Sequence, residues 1–236
     1  MPITLLLFFV LANSFERKLM GRLYHAGMRI LSRLLDLLFP PRPTARLARD
    51  AASASVAPLV SPEARSIAGH EGAALLPYHH PLVQALVIEA KYHGNRHAQS
   101  LLGTALGDYL AEFLRDMHAF SERRIVLVPI PLGAARLRER GYNQTECICR
   151  AAIGNGIEMN TGILVRTRET VPQTTLSKSE RLKNMTGAFA IRGSIDPSAT
   201  YIVFDDVVTT GTTLASAISA LTQAGASRVS ALSLAH

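Results

Sequence analysis

The stretch from Tyr201 to Leu234 limits the fold more than any other part of the chain. Tyr201 to Phe204 is an apolar β-type run, and Asp205 to Gly211 is a polar turn. Thr212 to Ala224 carries apolar residues at helical spacing (Leu214, Ile218 and Leu221), with Gly225 as a stop. Val229 to Leu234 is the next apolar run. A strand, loop, helix and strand at this length form a βαβ unit, which requires parallel strands and a crossover helix. The fold class that follows is α/β, a Rossmann-type parallel sheet flanked by helices.

Upstream segments supply further layers. Ile125 to Ile130 and Ile163 to Val165 read as short buried strands. Leu82 to Lys91, His97 to Met117 and Asn143 to Ile153 read as helices, with Asn143 near a cap. Met28 to Phe39 reads as an amphipathic helix ended by Pro40 and Pro41. From Arg42 to about Leu75 the chain is rich in Ala, Ser, Pro and Arg without a clean period, so a loose linker is expected there. The expected division is a helical extension and linker over 1–75 and an α/β domain over 76–236.

Ile3 to Ala12 is almost wholly apolar, and its first basic residues, Arg17 and Lys18, come after it. Three readings stand: a cleaved or anchoring segment, a helix packed on the body, or an extension upstream of a start at Met20 or Met28. No apolar run reaches the ~20 residues of a bilayer span. With 48% hydrophobic and 18% charged residues, wholesale disorder is excluded. Two cysteines exclude a disulfide framework and a four-thiolate zinc site within one chain. Cys147 and Cys149 lie about 200° apart around a helix, so they do not share a metal or a disulfide. The chain reads as soluble and cytoplasmic, and its net charge of +7 favours acidic partners only in a non-specific way.

Val203 to Thr213 places two adjacent carboxylates, Asp205 and Asp206, at the carboxyl end of a strand. Thr209, Thr210, Gly211, Thr212 and Thr213 follow into a helix start. Ligands of open parallel sheets bind beyond the carboxyl ends of the strands. A helix N-terminus offers free N–H groups to a phosphate, and Gly211 allows close approach. The carboxylates repel phosphate but accept from sugar hydroxyls or help site Mg²⁺. Together they read as a receptor for a sugar phosphate. No Lys precedes the Thr residues, so the segment is not a Walker A loop.

Ile202 to Thr213 resembles the phosphoribosyl-pyrophosphate (PRPP) signature of the type I phosphoribosyltransferases. Three further segments resemble the ComF family, the competence protein F or GntX-like members of that superfamily. They are Ala90-Lys91-Tyr92-His93-Gly94; Val128-Pro129-Ile130-Pro131 with Arg136, Arg138 and Glu139 to Gln144; and Gln173 with Arg181, Asn184, Gly187 and Phe189. They run in family order over about two-thirds of the chain. The cysteine-rich zinc module that usually follows the Pro-Pro pair in this family is absent, so no structural zinc is expected.

The resemblance implies Asp205 and Asp206 on the ribose hydroxyls, directly or through Mg²⁺, and the 209–213 segment on the 5′-phosphate. It implies a pyrophosphate loop over Gly133 to Arg140, with Arg136, Arg138 and Gly141 as contacts and Arg140 as a catalytic partner of the acid pair. Gln173, Arg181 and Asn184 would belong to a flexible loop over the substrate. The implied activity is Mg²⁺-dependent phosphoribosyl transfer to an acceptor that the residues do not name. A different class stays open beside it: a non-catalytic factor binding PRPP, nucleotide or single-stranded DNA in DNA uptake and transformation, with a competence helicase as partner.

Overall fold

The computed structural model describes residues 41–67, 69–118, 124–154, 157–167 and 187–236. The apolar run at 3–12 and the helix expected at 28–39 lie outside the described residues.

The chain enters as α1 (Pro43–Asp50), α2 (Ser53–Val56), a 3₁₀ turn (Ala57–Leu59), β1 (Glu63–Ile67) and β2 (His70–Leu76). Then come α3 (Pro81–Tyr92), α4 (Arg96–His118), β3 (Ile125–Pro129), α5 (Ala134–Arg140) and α6 (Gln144–Ala152). The order closes with β4 (Ile157–Met159), β5 (Leu164–Arg166), β6 (Phe189–Ile191), β7 (Thr200–Val207), α7 (Thr212–Gln223) and β8 (Arg228–Ala235). Among these, six strands form one sheet in the order β1-β2-β8-β7-β3-β4. All its pairings are parallel except β1 with β2. β5 and β6 make a separate antiparallel pair.

The sheet is apolar on both faces, as a parallel sheet between helical layers must be. Strand alternation divides the core in two. On one face Ile125, Leu127, Ile202, Phe204, Leu232 and Leu234 pack with residues of α1, α3, α4 and α6. On the other, Val126, Val128, Tyr201 and Val203 pack with Leu214, Ala217, Ile218 and Leu221 of α7. The β7–α7–β8 unit therefore forms as its hydrophobic spacing demands.

The linker expected over 42–75 is not one. Residues 43–236 form one compact unit, so the boundary expected at 75/76 falls inside it. β1 and β2 extend the sheet at one edge, and Ala48, Val56, Leu75 and Leu76 enter the core. Small residues in short elements give no readable period, yet they bury well.

Candidate functional site

β7 runs further than its apolar stretch suggests, through Asp205 and Asp206 to Val207. Both acids therefore sit on the end of a strand rather than in a turn. Ile202 and Phe204 face the helical layer of α3 and α6, and Asp206, in the same alternation, does too.

Asp206 is buried and faces three donors. Its Oδ2 lies 2.9 Å from Lys91 Nζ and accepts from Gln144 Nε2 at 3.1 Å. Its Oδ1 accepts from Val207 N at 2.8 Å. Asp205 is half-buried, and its Oδ1 accepts from Asp206 N at 2.9 Å. Burial first, and the Asp206 carboxylate next, push the Asp205 carboxyl up to about 7, while Lys91 pulls it back. Burial lowers the Lys91 ammonium most of any one cause; the charge and hydrogen bond of Asp206, joined by Asp205 and Tyr92, together outweigh it, and its pKa is raised.

Two other segments complete the cluster. Arg140 Nη1 donates to Gln144 Oε1, so one amide is held between a guanidinium and a carboxylate. The Arg140 guanidinium lies 5.4 Å from the ring centre of Tyr92, which is 61% exposed. Tyr142 Oη accepts from Gly94 N at 2.7 Å and lies 3.0 Å from both Ala90 O and Lys91 O. The end of α3 is thereby fixed to the α5–α6 turn. That turn is tied in its own right to the end of β3: Asn143 Nδ2 donates to Ile130 O at 3.0 Å. Thr145 Oγ1 lies 2.8 Å from the same oxygen. Asn143 does occupy the cap position of α6, but its side chain makes this link instead of a capping bond.

The segment expected to cradle a phosphate, Thr209 to Thr213, runs into the first turn of α7. Gly211 adopts the left-handed conformation at φ 73° at the N-cap position, where it has no side chain to offer. Thr210 Oγ1 and Thr212 Oγ1 lie 3.1 Å apart; Thr209 is exposed and Thr213 half-buried. First-turn N–H groups and hydroxyls at a helix start are the donor types that an anion takes.

The segment expected as a pyrophosphate loop, Gly133 to Arg140, is mostly helical. Ala134–Arg140 is a helix that Gly141 ends at φ 80°. Arg138 is exposed and Arg136 half-buried. Of the three arginines, Arg140 is the one joined to the acid pair, through Gln144. Gln173, Arg181 and Asn184 lie outside the described residues. Phe189 is a core residue. Cys147 and Cys149 are free thiols, and burial pushes both up in pKa.

Lys91, Gln144 and Tyr142 are the residues that motif reading alone did not single out. Each lies in a quoted segment, but the contacts they make are set by tertiary packing.

Asp206 does not fit a divalent ion as it stands. Mg²⁺ needs carboxylate lone pairs at close range, and those of Asp206 already face an ammonium, an amide and a backbone N–H. Among the described residues no three His, Cys, Asp or Glu side chains gather as a metal cage would require. Among them, too, no helix is long and apolar enough to cross a membrane.

No family model matches the chain. Over 104 residues it is 33% identical to the DNA utilization protein YhgH of Salmonella typhi and 34% identical to that of Escherichia coli K12. Each match covers 44% of this chain and 45% of the relative, so it spans less than half the length of either protein. A hypoxanthine phosphoribosyltransferase from Staphylococcus aureus superposes with a TM-score of 0.35 at 16% identity, over 57% of this chain and 63% of that one. An orotate phosphoribosyltransferase from Mycobacterium tuberculosis, in complex with Fe(III) dicitrate, gives 0.31 at 16% identity, over 80% and 82%.

Proposed function

We propose that the chain is a ComF-type, phosphoribosyltransferase-like protein. Its cleft binds PRPP or a related sugar phosphate and passes the phosphoribosyl group to an acceptor, with release of pyrophosphate. One observation carries this reading. The segments 90–94, 136–144 and 201–213, far apart in the chain, meet at the carboxyl ends of β3 and β7 through Lys91, Asp206, Gln144 and Arg140.

In the proposed reaction the bond from ribose C1 to pyrophosphate breaks, and pyrophosphate leaves with the electron pair. A bond from C1 to the acceptor forms, and the acceptor's proton passes to solvent. No protein nucleophile is required; positioning and charge stabilisation do the work. The head of α7 receives the 5′-phosphate, with Gly211 leaving room and Thr210 and Thr212 adding donors. Asp205 is the acceptor for a ribose hydroxyl. Arg140 supplies fixed positive charge beside the departing group. Magnesium enters this proposal only on the pyrophosphate, whose charge it neutralises.

The name these relatives carry, DNA utilization protein, supports a second reading, a factor that binds nucleotide or single-stranded DNA without turnover. Cytoplasmic action in DNA uptake, with a helicase partner, belongs to that reading.

Calorimetric titration of PRPP separates these outcomes. Binding that saturates in the wild type and is lost in Asp205→Asn/Asp206→Asn and weakened in Gly211→Ala supports the sugar-phosphate site. Pyrophosphate release with a screened acceptor supports transfer. Absence of binding at millimolar PRPP, with salt-sensitive DNA binding intact in the same variants, favours the second reading.

A further inference from the structure

The acid pair already has its cation. Asp206 Oδ2 accepts from both Lys91 Nζ, at 2.9 Å, and Gln144 Nε2, at 3.1 Å, and Oδ1 accepts from Val207 N. The Asp206 side chain is 5% exposed and that of Lys91 27%. A divalent ion reaching these oxygens would have to displace the ammonium or sit against its charge in a poorly hydrated site, where like charges repel strongly.

Lys91 is also held from behind. The α3 end that carries it is pinned by Tyr142 Oη, which accepts from Gly94 N and donates to the carbonyl of Ala90 or Lys91. Gln144 cannot turn away freely either, because its Oε1 is engaged by Arg140. The carboxylate, the ammonium and the amide form a closed arrangement.

We propose that Lys91 is the resident counter-cation of the acid pair, occupying at Asp206 the place a divalent ion would take and keeping such an ion off the ligand-free protein. The proposal rests on the site reading above only for its location.

The test uses no sugar phosphate, so its failure is distinct from failure of PRPP binding. Mn²⁺ is titrated into the full chain, and free Mn²⁺ is read by electron paramagnetic resonance. The proteins are the wild type, Lys91→Arg, Lys91→Met, Asp206→Asn and Lys91→Met/Asp206→Asn, each checked by circular dichroism. The wild type and Lys91→Arg are expected to show no saturable site tighter than about 1 mM. Lys91→Met should gain a site about tenfold tighter or more, because the charge that excludes the ion is gone. The added Asp206→Asn should remove it. Lys91→Gln carries the same arm if the methionine variant does not fold. Saturable Mn²⁺ binding by the wild type that Asp206→Asn abolishes would overturn the proposal. So would a folded, uncharged Lys91 variant that gains no site.

Discussion

Lys91 Nζ and Asp206 Oδ2 stand 2.9 Å apart, which joins the last turn of α3 to the end of the central strand β7. Removing one partner of a buried pair is costlier than the pair is worth, because the other is stranded. Asp206→Ala strands Lys91, Gln144 and Val207 N together, so it should cost about 2–4 kcal/mol, somewhat under the fully buried figure since Lys91 still reaches solvent. Lys91→Met leaves Asp206 two donors and should cost less. Urea unfolding of both variants checks the order, and equal losses below about 0.5 kcal/mol would mean the pair is a surface contact in energetic terms.

Asp205 gives stability an unusual pH slope. Its carboxyl is raised from the ordinary 3.8 to about 7, by burial and then by Asp206. Between these values the folded chain binds more protons at this site than the unfolded chain does. Stability from Asp205 therefore falls as pH rises through the window and levels off above it. Asp205→Asn removes the slope. Its melting temperature relative to the wild type should be higher at pH 8 than at pH 5, by about 2–4 °C for each kcal/mol regained. A difference independent of pH would show that Asp205 is ionised throughout.

The strands at Ile125 to Ile130 and Tyr201 to Phe204 were legible because each is a short apolar run with both faces buried, whereas β4 and β6, three residues each and buried at one position, were not. The order of strands in the sheet was not legible either, since register depends on contacts far apart in the chain. Residues 43–76 escaped for a related reason: Ala48, Val56 and Ala74 are buried, but small side chains in short elements leave no period to follow. Asp205, Asp206 and Gly211 stood out because they share one local segment. Lys91 and Gln144 did not, because a Lys near a helix end and a Gln after Asn read as surface residues until packing brings them to Asp206. The run Ala134 to Arg140 held its own signal. It consists of strong helix formers followed by Gly141, and fold analogy with a loop outweighed that propensity.

The α4–α6 contact depends on two glycines that no motif marks. A Cβ on Gly103 would lie 2.9 Å from Ile148 O and strike the Cβ of Ala151; one on Gly107 would lie 3.0 Å from Ala152 O. Alanine is the better helix former by about 1 kcal/mol. Here the crowding should win, with Gly103→Ala destabilising by about 1–2 kcal/mol net. Gly154→Ala, where nothing lies within 4 Å, is the control and should stay within about 0.5 kcal/mol of the wild type. Chemical denaturation of the pair reads the contrast, and a stabilised Gly103→Ala would mean the two helices can separate without loss.

Tyr142 connects stability to the site. Its hydroxyl accepts the Gly94 N–H and donates its single proton to the carbonyl of Ala90 or Lys91. Tyr142→Phe leaves the Gly94 N–H without this partner, at a cost of about 1–2 kcal/mol. The same change frees the end of α3 and so widens the positions open to Lys91. If the Lys91–Asp206 pair depends on that anchor, the variant should also weaken protection of the Val207 amide, whose N–H rests on Asp206 Oδ1. Hydrogen exchange at Val207 and at a core amide of β3 separates the two effects. Faster exchange at Val207, beyond the change at β3, is the expected result. A uniform increase at both would mean that Tyr142 holds the fold as a whole and not the geometry of the acid pair.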